Sequence, residues 1–149
     1  MKTPAELTEL FRSRGLKVTP QRQMLFGLLH GNGVHPTAES LYAAAREQMP
    51  TISLRTVYQT LNDLEAMGEI HQLDVGTGSS RFDPNTDAHH HLVCERCGKV
   101  RDIYADFPGL TVPRGRAQGF AVNAVEVVFR GVCDECRDET VPKRKEVNG

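Results

Sequence analysis

Two Cys-x-x-Cys pairs are the strongest chemical signal in this sequence. The four cysteines lie in the segments Cys94-Glu-Arg-Cys97 and Cys133-Asp-Glu-Cys136. Each pair bends the chain so that two sulfur atoms point at one centre, and two pairs complete a tetrahedral thiolate shell that suits Zn²⁺. Because this shell has no open position, we expect a structural zinc site and not a catalytic one. Free buried thiols and redox-active disulfides are the alternative interpretations, and a cytosolic chain favours metal.

Imidazoles and carboxylates form a second group of possible metal ligands. His89-His90-His91 begins a predicted strand, so His89 and His91 face one side and His90 faces the other. Three further candidates lie elsewhere in the chain. His35 precedes the third predicted helix, Asp83 ends the second predicted strand, and Asp102 follows the first cysteine pair. Three imidazoles and two carboxylates without a thiolate favour Fe²⁺ or Mn²⁺.

Each of these ligand candidates also has an ordinary structural interpretation. His35 beside Pro36 could be a surface or capping histidine, Asp83 before Pro84 a turn residue, and Asp102 a solvated strand end. The interpretation as ligands has a wider consequence, because the candidate residues come from both halves of the chain. A metal bound by all of them would fix the angle between two domains, which is a physical basis for a switch.

The first half of the chain must supply the elements that position His35 and Asp83. Apolar spacing and helix caps predict four helices and then two short strands; the predicted ranges are 5–14, 20–30, 37–48, 53–67, 69–75 and 79–83. A tight turn at Gly76-Thr77-Gly78 joins the strands. This order is typical of a winged helix-turn-helix, with Ser53–Met67 as the recognition helix.

The second half is predicted to be a small β-rich domain. β-branched and aromatic residues predict strands at 91–94, 100–104 and 120–132, while proline and glycine permit only a short helix within 107–118. The turn-rich segment Pro84–Asp87 predicts the boundary. The fold class is therefore α+β, with a DNA-binding domain at 1–84, an α/β domain at 85–136 and a polar, flexible tail at 137–149.

Composition and charge agree with a nucleic-acid-binding protein. Residues 1–60 carry seven Lys and Arg against four Asp and Glu, a net charge of +3, whereas residues 69–136 carry a net charge of −3. The chain has no apolar run of membrane-spanning length, which excludes an integral membrane protein. Its N-terminus lacks the features of a signal peptide, so we expect a cytoplasmic location.

In combination, five motifs resemble the ferric uptake regulator (Fur) family. They are GLKVTPQR at 15–22, HPTA at 35–38, TVY at 56–58, SSRFD at 79–83 and HHHLVCERCGK at 89–99. The resemblance covers about residues 5–136. It implies a dimeric, metal-dependent transcription repressor with a winged-helix head and an α/β dimerisation domain, in which the four cysteines hold the structural zinc.

Within that family the chain is most similar to the peroxide-sensing branch (PerR). The ligand set of that branch falls here on His35, Asp83, His89, His91 and Asp102. The resemblance implies that Fe²⁺ reacts with H₂O₂, that His35 or His89 is oxidised to 2-oxo-histidine, and that DNA is then released. The sequence departs from the family at His90, which replaces an aromatic residue, and in the short segment 111–118.

DNA contacts are predicted on the fourth helix, whose exposed face offers Arg55, Thr56, Tyr58 and Gln59. Tyr58 suits a thymine methyl group and Gln59 suits adenine, so we expect an A/T-rich palindromic operator that matches a homodimer. The resemblance places Lys17 near the minor groove. Arg22 is a candidate phosphate contact, although a solvated face is the ordinary interpretation of such a charge.

Three other functions remain open at this point. The nearest is an iron, zinc or manganese uptake regulator with the same fold. A metalloenzyme is less favoured, because no general base is evident beyond the proposed ligands. A zinc-stabilised module that binds another protein is the third.

Overall fold

The structure is a computed structural model, and it describes residues 1–74, 76 and 80–138. The chain divides into two compact units, of which the first is Met1–Asp87 and the second begins at Ala88. Among the described residues, no helix is long and apolar enough to cross a membrane. The predicted tail at 137–149 lies outside the described residues from position 139 onward.

Four helices form the first unit, as the sequence predicted. They are α1 (Pro4–Ser13), α2 (Pro20–Leu29), α3 (Ala38–Gln48) and α4 (Leu54–Ala66). Each begins after a Ser or Thr whose side chain accepts a backbone N–H of the first turn; these caps are Thr3, Thr19, Thr37 and Ser53. A cap of this type stabilises a helix by about 1 kcal/mol, so local sequence determines where these helices begin.

One hydrophobic core holds the four helices together. Phe11 of α1 and Phe26 of α2 pack edge to face with ring centroids 4.9 Å apart. Leu61 and Leu64 of α4 are fully buried in the same cluster, together with Phe82 of the following sheet. α4 buries one face in this core. Its opposite face, which carries the predicted DNA contacts, is exposed.

A two-stranded antiparallel sheet follows the helices. β1 (His71–Leu73) pairs with β2 (Arg81–Asp83), with His71 opposite Asp83. Both strands are shorter than the predicted 69–75 and 79–83; positions 75 and 77–79, including most of the predicted turn, lie outside the described residues. The order of four helices and a hairpin is that of the predicted winged helix.

A three-stranded sheet lies within the described part of the second unit. β3 (His90–Cys94) is the central strand, with β4 (Val100–Ile103) antiparallel on one side and β5 (Val128–Gly131) parallel on the other. The register places His91 opposite both Asp102 and Val128. One sheet therefore brings the histidine strand, the carboxylate strand and both cysteine pairs together.

The predicted strand at 120–132 is wrong over its first eight residues. Only Val128–Gly131 pairs as a strand, because β3 begins at His90 and offers no partner to residues 120–126. Phe120 and Val122, which gave the segment its strand-like composition, are more than half exposed. Residues 107–118 form turns and no helix, consistent with their proline and glycine content.

Candidate metal centres and nucleic-acid-binding residues

The four cysteines converge in the second unit. Their sulfur atoms all lie within 4.8 Å of one another, and the Sγ atoms of Cys97 and Cys133 are 3.8 Å apart. Zinc–sulfur bonds of about 2.3 Å in a tetrahedron place sulfur atoms about 3.8 Å apart. All four cysteines are unbridged, so the geometry fits the predicted structural zinc and not disulfides.

Backbone hydrogen bonds build the first cysteine knuckle. The Gly98 N–H donates to the carbonyl of Cys94, and Gly98 adopts a φ of 75°, a left-handed conformation that favours glycine. Burial raises the pKa of Cys94, but N–H groups of Cys133, Cys97 and Arg96 point at its sulfur and together lower the pKa to about 6. Metal ligation needs such a thiolate, and the backbone stabilises it.

His35 and Asp83 form a buried pair in the first unit. His35 Nε2 lies 3.3 Å from Asp83 Oδ2, and both side chains are almost completely buried. Backbone contacts hold the segment that carries His35 against β2: Arg81 donates to the His35 carbonyl, and the Phe82 N–H donates to the Pro36 carbonyl. Asp83 Oδ1 accepts the Asn85 N–H, which leaves Oδ2 directed at the imidazole.

His35 also has an uncommon backbone conformation. Its φ is 54°, in the left-handed region that few residues other than glycine adopt. The bonds that hold residues 35 and 36 to β2 maintain this conformation. Such strain is concentrated at functional sites. The interpretation of His35 as a surface histidine is therefore wrong, since its side chain is fully buried.

His89, His91 and Asp102 form the corresponding group in the second unit. The Nε2 atoms of His89 and His91 lie 3.1 and 3.5 Å from the same oxygen, Oδ1 of Asp102. This confirms that the two rings face one side of the sheet. Ligands bonded at about 2.1 Å at right angles around an ion lie about 3 Å apart, so the three donors fit a divalent metal.

Two neighbouring side chains have roles that the sequence did not reveal. Glu126 Oε1 lies 2.8 Å from Nδ1 of His91. His90 faces away from the ligands, as expected; its Nδ1 accepts the Val127 N–H, and its ring packs edge-on against Phe107. His90 thus fills the position of an aromatic residue and also fastens the chain that enters β5.

The predicted DNA-contacting residues of α4 lie at its amino-terminal end. Arg55, Tyr58 and Gln59 are exposed, as a surface that contacts DNA requires. Thr56 is half-buried, and its hydroxyl bonds to the capping Ser53. The Tyr58 hydroxyl donates to Glu39, 2.6 Å away; this hydrogen bond raises the pKa of Tyr58 and lowers that of Glu39.

Arg22 and Lys17 differ sharply in their surroundings. The Arg22 guanidinium bonds to Asp63 at 3.0 Å, lies over the Phe11 ring and donates to the Lys17 carbonyl. Its side chain is only 15% exposed, so Arg22 links α1, α2 and α4. Lys17 itself is exposed. Of these two predicted DNA contacts, the exposed Lys17 therefore suits a role on DNA better than Arg22 does.

Known proteins resemble this chain over most of its length. The model of the ferric uptake regulator family matches residues 13–129. The peroxide-responsive repressor PerR of Staphylococcus epidermidis is 38% identical over 131 residues, covering 86% of each chain. The manganese-containing ferric uptake regulator of Pseudomonas aeruginosa is 27% identical with a TM-score of 0.65, covering 90% of this chain and 99% of that one.

The fold is also that of the ferric uptake regulator of Helicobacter pylori, at 24% identity and a TM-score of 0.73, with 89% of this chain and 90% of that chain covered. These similarities confirm the predicted α+β class. Two of the neighbours with a solved structure contain a metal: a zinc-bound manganese uptake regulator, 29% identical with a TM-score of 0.69, and the manganese-containing regulator of Pseudomonas aeruginosa. The similarities also exclude the metalloenzyme interpretation, because the relatives are transcriptional regulators. The chain belongs to the ferric uptake regulator family of metal-responsive transcription regulators.

Proposed function

We propose that this protein is a transcriptional repressor that senses peroxide through one regulatory metal ion. Fe²⁺ or Mn²⁺ would bind to two ligands of the first unit and three of the second: His35, Asp83, His89, His91 and Asp102. Binding would fix the two units in the arrangement that binds DNA, which makes the metal a switch. The 38% identity to a peroxide-responsive repressor supports the choice of signal.

The observation that carries this proposal is the shared oxygen of Asp102. Two imidazole nitrogens approach one carboxylate oxygen at 3.1 and 3.5 Å, which is a spacing suited to ligands of a common cation. The buried pair of His35 and Asp83 offers one further nitrogen and one further oxygen. Imidazole and carboxylate ligands without thiolate suit Fe²⁺ and Mn²⁺.

Peroxide would act by modifying the ligands themselves. Bound Fe²⁺ would supply the redox chemistry that lets H₂O₂ oxidise a ligand next to it, which Mn²⁺ would not do. In the net reaction, H₂O₂ would take two electrons from the imidazole of His35 or His89, one peroxide oxygen would be added to the ring to give 2-oxo-histidine, and the other would leave as water. The added oxygen would weaken the imidazole as a ligand. The metal would then no longer fix the two units, and DNA would be released.

DNA binding would use the amino-terminal end of α4. Tyr58 and Gln59 would contact bases, while Arg55 and Lys17 would contact phosphates or the minor groove, and Thr56 would orient the first turn of the helix. A homodimer would bind an A/T-rich palindromic operator in the cytoplasm. The second unit exposes large apolar side chains, among them Tyr104, Phe120 and Val122, as a dimerising domain would.

Gel-shift assays on an A/T-rich palindrome with iron- or manganese-loaded protein test this function. Peroxide should abolish binding of the iron-loaded protein and spare the manganese-loaded one. Mass spectrometry should then find an addition of about 16 Da on peptides that contain His35 or His89. If the iron-loaded protein keeps its DNA affinity and mass after peroxide, the protein responds to metal concentration instead.

A further inference from the structure

We propose that Glu126 is a positioning residue for the regulatory metal and acts through His91. Its carboxylate holds the His91 ring in the tautomer that has its proton on Nδ1. The lone pair on Nε2 is then presented to the metal. This inference rests on the proposed function, because it concerns the same ligand group.

The hydrogen-bonding capacities of the two groups determine the tautomer. Glu126 Oε1 lies 2.8 Å from His91 Nδ1, and an ionised carboxylate only accepts hydrogen bonds. Nδ1 must therefore donate, and the neutral ring has its lone pair on Nε2. That nitrogen lies 3.5 Å from Asp102 Oδ1. The His91 lone pair and the Asp102 oxygen repel each other at this distance, and a cation bound to both would remove the repulsion.

The sheet register brings Glu126 to this position. The His91 N–H donates to the Val127 carbonyl at 3.1 Å, and the Val127 N–H donates to His90 Nδ1 at 2.9 Å. Val127 is thus bound on both sides to the histidine strand, immediately after Glu126. The adjacent histidines consequently have opposite tautomers, because His90 Nδ1 accepts where His91 Nδ1 donates.

The exposed fractions of the two side chains distinguish a positioning role for Glu126 from a role in folding. The His91 side chain is 4% exposed, whereas that of Glu126 is 51% exposed. A half-exposed carboxylate of this kind contributes little to stability, so variants should fold. A carboxylate that orients a metal-bound histidine commonly changes metal affinity by 10- to 100-fold.

The test uses full-length protein that keeps zinc in the cysteine site. Glu126→Ala removes the acceptor, Glu126→Gln keeps an acceptor oxygen without the charge, and Asp138→Asn is the control for loss of one exposed negative charge. Two measurements are made on each: the Mn²⁺ dissociation constant by calorimetry, and the His91 tautomer by ¹H–¹⁵N correlation before Mn²⁺ is added.

We expect Glu126→Ala to weaken Mn²⁺ binding 10- to 100-fold and to shift the His91 proton towards Nε2. Glu126→Gln should recover part of the affinity, and Asp138→Asn should match the unmodified protein. The inference is wrong if Glu126→Ala binds Mn²⁺ within twofold of the unmodified protein with an unchanged tautomer. If the unmodified protein binds no Mn²⁺, the proposed function itself fails.

Discussion

Arg22 provides a sharp prediction, because the sequence suggests that its side chain contacts DNA, whereas in the structure the side chain links three helices. The guanidinium pairs with Asp63 of α4, lies 5.3 Å from the Phe11 ring centroid of α1 and donates to the Lys17 carbonyl. Arg22→Ala should therefore destabilise the first unit. Lys17→Ala, which removes an exposed side chain, should leave stability unchanged.

The expected loss for Arg22→Ala is about 2 kcal/mol. A partly exposed ion pair contributes about 1 kcal/mol, and a cation over an aromatic ring adds roughly 0.5–1 kcal/mol. The hydrogen bond to the carbonyl and the packing of the aliphatic part supply the rest. A loss of this size in a unit of under 100 residues lowers its melting temperature by roughly 8–16 °C.

Urea unfolding monitored by circular dichroism at 222 nm reports on this unit, because α1–α4 all lie within it. Asp63→Ala and the double variant complete a mutant cycle, in which we expect a coupling energy of about 1 kcal/mol between Arg22 and Asp63. DNA titrations at several salt concentrations measure the other role. Lys17→Ala should reduce the salt slope by about 1.

A reversed pattern would refute this reasoning. If Arg22→Ala unfolds at the same urea concentration as the unmodified protein while its DNA salt slope falls by about 1, Arg22 contacts phosphate as the sequence suggested. A coupling energy near zero with Asp63 would show that the ion pair does not link α2 to α4.

Three further predictions concern zinc, pH and the histidine strand. Cys133→Ser should release zinc, measured by a chromogenic chelator, and unfold the small second unit, because metal binding supplies its folding energy; retention of stoichiometric zinc would contradict this. Glu69 is buried, and burial alone would raise its pKa. Hydrogen bonds from Lys2 have the larger combined effect, so the pKa of Glu69 lies below its ordinary value. Glu69→Gln should therefore cost about 1–2 kcal/mol at pH 7. The difference should begin to shrink as the pH falls below the ordinary value of about 4.5, and it should vanish once the pH is below the lowered pKa of the folded protein. A pH-independent difference would show that the charge is irrelevant. His90→Phe should retain the aromatic packing but lose the hydrogen bond that the Val127 N–H donates to His90. Amide hydrogen exchange at Val127 should therefore be faster than in the unmodified protein. An unchanged exchange rate would show that this hydrogen bond does not protect the Val127 amide.

Short-range signals predicted much of this fold. The caps at Thr19 and Thr37 and the apolar spacing of α4 located the helices to within a few residues, because a helix depends on neighbours along the chain. The Cys-x-x-Cys pairs are similarly local. Alternation along a strand placed His89 and His91 on one side, as the shared Asp102 oxygen confirms.

Long-range pairing was the part that sequence could not supply. Glu126 lies 35 positions from His91, and only the parallel register of β3 and β5 brings the two together. A shift of that register by one residue would direct Glu126 to the opposite face. The strand composition of residues 120–126 was misleading for the same reason, because a strand needs a partner and β3 does not extend far enough to provide one.

Anomalous diffraction at the manganese absorption edge, from crystals of manganese-loaded protein with zinc in the cysteine site, tests the central claim most directly. The account predicts one manganese ion per chain, bonded to imidazole nitrogens of His35, His89 and His91 and to carboxylate oxygens of Asp83 and Asp102. A manganese ion bonded only to residues of one unit, or found only among the four cysteines, would contradict it.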